Sequence, residues 1–332
     1  MIVFGEADTA SHHFWLFHDP KSPRHRPGME GALRNIYIRL DLAVGRLCDA
    51  FGDAAVGVVS DHGFGGAGTA VVHLNNWLAE NDYLKFQAAR RNWLKSLALR
   101  VVPTAWRGAM FRRLSGLASR AESRARFDGI DWAHTRAWSE ELSYFPTVRV
   151  NLAGRDPAGV VQQQEYDAFV AELCARLMSW ACVAQAWPRS EIYSGAMVGH
   201  APDIVLELAL EDGYSQTPLR ARGGPAFRRL RPEEYLGGKE RGMNGTHRDP
   251  GVVFLSAPAA LAGASLLDIA PTVLAAMGVA GPPMEGRSLL PRDNDELKVE
   301  GFPDSFVPES VPYTPEEEAQ IEDRLRALGY FE

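Results

Sequence analysis

Val56-Gly57-Val58-Val59-Ser60-Asp61-His62-Gly63 is an apolar, β-branched run that ends abruptly in an acid, an imidazole and a glycine. Such a run predicts a buried parallel strand, which delivers polar side chains to the carboxyl edge of its sheet. Asp61 and His62 are both candidate metal ligands, and Gly63 lets the backbone turn away without a Cβ clash. The hypothesis is that Asp61 and His62 form half of a metal site.

The residues before this strand predict a second, similar unit. Residues 2–4 predict a short strand, which runs into a loop that carries Asp8 and His12. The apolar positions of residues 29–51 recur with helical spacing, and Gly52-Asp53 turns the chain into the next strand. The order strand, loop, helix, strand, loop predicts a βαβ unit with both loops at one sheet edge.

The remaining elements predict an α/β fold with a largely parallel central sheet, flanked by helices and carrying a helical insertion. The predicted division is a first part of the metal-site core at 1–84, an inserted, basic, mostly helical cap region at 85–200, and a second part of the core with a C-terminal helix at 201–332. Spacing and composition predict helices at 72–84, 164–180, 265–277 and 313–328, strands at 147–151, 204–210 and 251–256, and a surface loop at 213–241.

Composition excludes several classes of protein. Lys+Arg 35 against Asp+Glu 42 gives a net charge of −7, which argues against nucleic acid as the main partner and is compatible with bound cations. The three cysteines have no metal-type spacing and cannot all pair within the chain, so reduced thiols in a cytoplasmic protein are predicted. No apolar run approaches the roughly 20 residues of a membrane span. Oligomeric state is open.

The basic charge is concentrated between Arg90 and Arg126, where Glu122 is the single acid. Apolar residues in this segment keep a helical period, so basic amphipathic helices inserted in the domain are predicted. Two interpretations stay open: a solvated face of an inserted cap, or a surface that steers an anionic substrate.

Carboxylate and imidazole side chains at several predicted strand edges suit a divalent ion such as Zn or Mn. The candidates are Asp8, His12, Asp61, His62 and His247. An Asp-x-x-x-His or Asp-His pair taken alone is more often an N-cap, a loop hydrogen bond or a surface pair than a metal site. The evidence lies in their combination.

Three motifs contain all five candidates: Phe4-Gly5-Glu6-Ala7-Asp8-x-x-x-His12, Ser60-Asp61-His62-Gly63 and Gly245-Thr246-His247-Arg248. In these motifs, and in their order, the chain resembles the alkaline phosphatase superfamily, in particular its type I phosphodiesterase and nucleotide pyrophosphatase branch. Ala201-Pro202-Asp203 and Asp268-Ile269-Ala270-Pro271-Thr272 support the resemblance. The resemblance implies an alkaline-phosphatase-like fold.

The resemblance also implies a chemistry, the hydrolysis of phosphate esters with two divalent metal ions, Zn or Mn. It assigns Asp8, His12 and His247 to the first ion and Asp61 with His62 to the second. The implied substrate is a small-molecule phosphate ester, which includes nucleotides. Arg248, beside His247, is a candidate phosphate contact because of its charge.

The resemblance does not identify a catalytic nucleophile within the chain. The family's Ser or Thr nucleophile, and a further Asp for the second ion, are expected to precede residue 1, so the chain is expected to match the C-terminal portion of the family domain. The isolated chain is therefore expected to have weak or no phosphodiesterase activity. Robust turnover of a chromogenic phosphodiester with added Zn or Mn would contradict this expectation.

Three alternatives stay open. Gly63-Phe64-Gly65-Gly66-Ala67-Gly68 spells the dinucleotide-binding pattern G-x-G-x-x-G, although an acid at Asp61 would face the pyrophosphate charge. The preferred interpretation of these glycines is a flexible loop beside the metal site. The second alternative is another chemistry of the superfamily: phosphomonoesterase, phosphonate hydrolase, sulfatase or phosphoglycerate mutase. The third is a non-catalytic remnant or interaction protein.

Overall fold

The computed structural model describes residues 1–52, 54–87, 127, 129–142, 145–235 and 243–291. The helices predicted between Arg90 and Arg126, and the terminal helix predicted at 313–328, lie outside these ranges. The chain divides into two compact units. The first unit holds Met1–Ser11, Gly31–Gly65 and the described residues from His247 on, and the second holds His12–Glu30 and Gly66–Thr246. The predicted division into 1–84, 85–200 and 201–332 stays a prediction.

The described residues form a mixed α/β fold, as predicted. The helices are α1 (Glu6–His18), α2 (Ala32–Phe51), α3 (Leu74–Glu80), α4 (Tyr166–Met178), α5 (Arg189–Ile192) and α6 (Ile269–Ala276). The strands are β1 (Gly57–Val59), β2 (Gly63–Val72), β3 (Ala137–Trp138), β4 (Thr147–Val150), β5 (Val183–Pro188), β6 (Ile204–Leu208), β7 (Leu210–Glu211), β8 (Tyr214–Pro218), β9 (Phe227–Arg229), β10 (Gly245–Arg248) and β11 (Val253–Leu255). Short 3-10 turns lie at Trp132–His134, Gln163–Glu165, Val198–His200, Pro232–Glu234 and Leu266–Asp268.

In the first unit, α2 follows the predicted helical period. Most of the less exposed positions form one stripe, whereas Tyr37 is exposed; the less exposed positions are Ala32, Leu33, Ile36, Leu40, Ala43, Val44, Leu47 and Cys48. The helix ends at Gly52, whose φ of +57° is a left-handed conformation that suits glycine, and whose N–H donates to the carbonyl of Cys48.

The strand predicted at residues 56–60 is present as β1, but its predicted environment is wrong. β1 pairs antiparallel with β11, with Gly57 opposite Leu255, and the two form a two-stranded sheet. Val58 is 39% and Val59 is 46% exposed, so β1 is not a buried strand. A β-branched run indicates extended backbone, but burial depends on what packs over the strand, which local sequence does not specify.

A five-stranded sheet has the strand order β10-β2-β8-β7, with β9 also paired to β2. β2 and β8 are parallel, whereas β9 runs antiparallel to β2 and β7 antiparallel to β8. The segment predicted as a surface loop at 213–241 contributes β8 and β9, so that prediction is wrong for residues 213–235, and residues 236–241 lie outside the described ranges. Residues 215–218 are buried although Ser215, Gln216 and Thr217 are polar. Ser215 and Thr217 lie opposite Ala67 and Val71 of β2, and the Gln216 side chain donates to the carbonyl of Ala209.

A second sheet, β3-β4-β6-β5, is antiparallel throughout and packs in the main hydrophobic core. Helix α4 contributes Phe169, Val170, Leu173, Cys174 and Leu177 to this core at helical spacing. A 3-10 turn, Gln163–Glu165, precedes α4, and a capping box between Gln162 and Glu165 closes the amino end of this turn. Most described strand pairs are antiparallel, so the predicted largely parallel sheet is present only in part.

Among the described residues, no helix combines the length and the apolar character that crossing a lipid bilayer requires.

Candidate functional site

The first two candidate ligands lie on a helix. α1 begins at Glu6, while residues 2–4 have no regular secondary structure, so the strand and loop predicted there are wrong. Asp8 and His12 are one helical turn apart, which puts them on the same face of α1. The spacing was a helical signal, and Glu6 and Asp8 place negative charge in the first turn, where the helix dipole favours it.

Two imidazoles of the first unit converge on the carboxylate of Asp8. The Nε2 atom of His247 lies 3.1 Å from Oδ1 of Asp8, and the Nε2 atom of His62 lies 3.8 Å from the same oxygen. Asp8 and His247 are 239 residues apart along the chain, and the fold brings their side chains together. All three side chains are partly exposed, so this cluster is open to solvent.

The two imidazole rings also contact each other directly. The rings of His62 and His247 are stacked, with centroids 3.6 Å apart and an angle of 20° between their planes. Phe64 stands edge-on to His247 with ring centroids 5.8 Å apart. These contacts fix the planes of both imidazoles and therefore the directions of their nitrogen lone pairs.

Asp61 is the most exposed member of the cluster, with 82% of its side chain accessible. Its Oδ1 atom accepts a hydrogen bond from the backbone N–H of His62 at 3.1 Å and lies 3.5 Å from Nε2 of the same residue. The Nδ1 atom of His62 lies 2.9 Å from the carbonyl oxygen of Gly63. Asp61 and His62 thus face each other beside Asp8.

His12 is buried, and its ring is held by backbone within the second unit. Its Nδ1 atom lies 2.8 Å from the carbonyl oxygen of Gly245. A carbonyl at Nδ1 favours a proton on that nitrogen and makes Nε2 the basic nitrogen of the ring. Histidines that bind a metal through one ring nitrogen ordinarily donate the other ring N–H to a carbonyl or carboxylate, as His12 does to Gly245.

The glycines after His62 form a strand, so the predicted flexible loop is wrong. Gly63, Gly65, Gly66 and Gly68 all lie in β2, and α3 begins only at Leu74. A dinucleotide-binding pattern requires the glycines to form the turn between a strand and the next helix. The dinucleotide alternative is therefore contradicted by the position of the glycines.

These glycines allow close approach of other groups. A Cβ atom on Gly65 would lie 2.3 Å from Nε of Arg248, so the half-buried Arg248 side chain lies directly against the Gly65 backbone. A Cβ atom on Gly63 would lie 2.2 Å from the carbonyl oxygen of Pro250. The absence of both side chains is what lets β2 approach residues 248–250.

We expect Gly63→Ala to destabilise the protein more than Gly65→Ala. The new methyl group at position 63 meets a backbone carbonyl, which cannot move without disturbing the strand, and we expect a loss of about 3 kcal/mol. The methyl group at position 65 meets the flexible side chain of Arg248, so we expect a loss of about 1 kcal/mol or less. Urea unfolding of both variants measures the difference, and equal losses would contradict it.

Sequence comparison identifies the family. The model of the type I phosphodiesterase / nucleotide pyrophosphatase family matches residues 1–218. The chain belongs to this family. The residues that match the phosphodiesterase family include Asp8, His12, Asp61 and His62, whereas His247 and Arg248 follow the matched range.

One solved structure is similar to this phosphodiesterase-family chain. It is phosphonoacetate hydrolase from Sinorhizobium meliloti 1021 in complex with phosphonoformate, at 17% identity and a TM-score of 0.29. The match covers 69% of this chain, which spans 42% of the length of that protein. No curated protein matches the chain.

The structure also shows residues of this family member that the sequence prediction missed. Phe64 packs on His247, and the segment from Met243 to Gly245 holds His12. Phe64 stands two residues after His62, but an aromatic residue at that place is not a specific signal. Among the histidines outside the three motifs, His73 makes a structural contact, with Nδ1 2.6 Å from the carbonyl oxygen of Leu219.

Proposed function

We propose that this chain carries a metal-dependent site for hydrolysis of phosphate esters, of the phosphodiesterase or nucleotide pyrophosphatase type. The observation that carries the proposal is the convergence of His247 and His62 on one carboxylate oxygen of Asp8. Membership of the type I phosphodiesterase family supports the same chemistry. The substrate class is a small-molecule phosphate ester, with nucleotides included.

The donor atoms fit divalent metal ions. Two carboxylates and three imidazoles are the ligands that Zn and Mn take, and the Nδ1 atoms of His12 and His62 are both at hydrogen-bond distance from backbone carbonyls. We propose that Asp8, His12 and His247 hold one ion and that Asp61 and His62 contribute to a second. Such ions polarise a phosphoryl oxygen and lower the pKa of a bound nucleophile.

The chain's own residues supply binding and orientation. The stacked rings of His62 and His247 hold their nitrogens in fixed directions, which reduces the reorganisation that binding requires. Arg248, which lies against Gly65, offers a planar guanidinium to the oxygens of a phosphate group. Asp61 is exposed and therefore contributes its charge at the open side of the cluster.

We expect Zn or Mn to stabilise the chain and to be required for turnover. At a free metal concentration of 100 times Kd, the stabilisation is about 2.7 kcal/mol, which a thermal melt detects. Asp8→Asn removes the charge that both imidazoles face, so this variant is expected to lose most of the metal-dependent rise in Tm. Turnover of bis(p-nitrophenyl) phosphate is expected to be slow, dependent on added metal, and absent in Asp8→Asn.

The control is His134→Ala, because His134 is exposed and pairs with Asp131 outside this cluster. It is expected to respond to metal as the unmodified chain does. Turnover without added metal would overturn the proposal of a metal-dependent hydrolase, and so would the absence of turnover together with a Tm that Zn and Mn leave unchanged. The second outcome would favour a non-catalytic remnant.

A further inference from the structure

Arg24 is a fully buried cation in the second unit, with 0% of its surface accessible. Its Nε atom donates to the carbonyl of Gly68 at 2.7 Å, and its Nη1 atom donates to the carbonyl of Met243 at 2.8 Å. Nη1 also lies 3.4 Å from Oδ1 of Asn244. The guanidinium therefore links β2 to the segment Met243–Gly245.

Stability alone is a weak reason to place an arginine here. The oxygens that Arg24 contacts are neutral, and its Nη2 atom has no hydrogen-bond partner in the described part of the chain. Burial lowers the pKa of the guanidinium to about 10, although Tyr235 opposes the shift. Replacing a buried ion with a well-packed apolar side chain is often neutral or stabilising. The role of Arg24 is therefore inferred from the segment that it holds in place.

The segment that Arg24 holds is the one that holds His12. The backbone N–H of Asn244 donates to the carbonyl of His12 at 2.9 Å, and the carbonyl of Gly245 lies 2.8 Å from Nδ1 of the His12 ring. The carbonyl of Asn244 accepts from the N–H of Ala67 in β2 at 3.0 Å. His12 is thus held at its backbone and at its ring by two consecutive residues.

We propose that Arg24 is a positioning residue for His12. By fixing Met243 against Gly68, it fixes the carbonyl of Gly245, and this carbonyl sets the plane of the imidazole and the direction of Nε2. The inference rests on the proposed function, because it concerns His12 as a metal ligand. Arg24 acts through the backbone and does not itself touch the metal or the substrate.

The test measures metal binding in the full chain. Arg24→Met is expected to weaken Zn binding about 10-fold to 100-fold, measured as Kd by calorimetric titration, which is the range for residues that orient metal ligands. The visible absorption of bound Co is expected to change as well, because His12 no longer has a fixed direction. Arg24→Lys keeps the charge but not the planar fork, so its Kd is expected to be intermediate. Arg24→Lys serves as the test variant if Arg24→Met does not fold.

Arg189→Met is the matched control. Arg189 also donates to two backbone carbonyls of the second unit, those of Gly199 and Ala201, and it pairs with Asp203. We expect this control to lower Tm while the Zn affinity and Co spectrum stay unchanged. An equal loss of Zn affinity in the control would overturn the inference, because general loosening would then explain it.

The remaining outcomes separate the two proposals. If the unmodified chain binds Zn and both Arg24 variants bind it equally well with the same Co spectrum, the positioning role is wrong and the proposed function stands. If the unmodified chain does not bind Zn or Co, the proposed function fails, and the inference fails with it.

Discussion

Replacing Asp203 with asparagine is expected to lower the free energy of unfolding by about 3–5 kcal/mol, the loss typical of breaking a buried ion pair from one side. Asp203 is fully buried in the second unit, where Arg155 donates to both of its carboxylate oxygens at 2.7 and 2.8 Å. Arg189 lies 3.1 Å from Oδ1. The variant leaves these two cations without their common counter-charge.

Two neutral groups also donate hydrogen bonds to the carboxylate of Asp203. The hydroxyl of Tyr166 and the backbone N–H of Val150 each donate to it at 2.6 Å. Burial alone would raise the pKa of the Asp203 carboxyl, but the hydrogen bonds from Arg155, Tyr166 and Val150 outweigh it and hold this pKa below its usual value. Because the folded-state pKa is lowered, the stabilisation is present above the unfolded-state pKa and is lost as pH falls through the folded-state value.

Glu211→Gln is the control for Asp203→Asn, and urea unfolding at neutral pH is the measurement. Glu211 and Arg229 make a comparably short contact of 2.6 Å in the second unit, but both side chains are exposed. Water and salt screen such a pair, so little change in stability is expected. If both variants lose the same free energy, burial is not what makes the Asp203 network strong.

Stability is expected to depend on pH through Glu141, which is buried in the second unit. Burial raises the pKa of the Glu141 carboxyl to about 7, although hydrogen bonds from Asn75 and the Ala221 backbone and the charge of Arg220 oppose the shift. The backbone N–H of Asn75 donates to Oε1 at 3.1 Å, and Asn75 and Ser139 bond each other through two hydrogen bonds. Glu141 itself has a φ of +52°, a strained conformation for a residue with a side chain.

The direction of this pH dependence follows from which state of the protein, folded or unfolded, binds more protons. The usual glutamate pKa is 4.5, so between pH 4.5 and about 7 the folded state holds a proton that the unfolded state has released. Stability therefore falls as pH rises through this window. A shift of this size corresponds to a change on the order of 3 kcal/mol, at about 1.4 kcal/mol for each pKa unit.

Glu141→Gln tests this expectation because glutamine keeps the acceptor oxygen and cannot ionise. We expect the variant to approach the unmodified chain in stability near pH 5 and to exceed it increasingly toward pH 8. Urea unfolding of both proteins at several pH values gives the difference, from which the other titrating groups cancel. A difference that stays constant across the series would show that Glu141 does not titrate in the folded protein over this range.

Much of the local structure was predictable from the residues alone. The apolar stripe of α2 and the existence of helix α4 were predicted from local sequence, since helical spacing involves residues only three or four positions apart. Strands at 147–150 and 204–208 matched apolar, β-branched runs in the same way. The identities of the candidate ligands also came from short motifs.

Pairing and burial were decided by the tertiary structure. The exposure of β1, its antiparallel partner β11, and the strands within the predicted loop at 213–241 all depend on segments that are distant along the chain. The stacking of His62 on His247 and the hydrogen bond from Arg24 to Met243 also join residues that are distant along the chain. Sequence by itself determined which residue types are present and which local periods they follow. Only the folded chain determined which of them meet, because contacts between residues about 200 positions apart leave no local periodic signal.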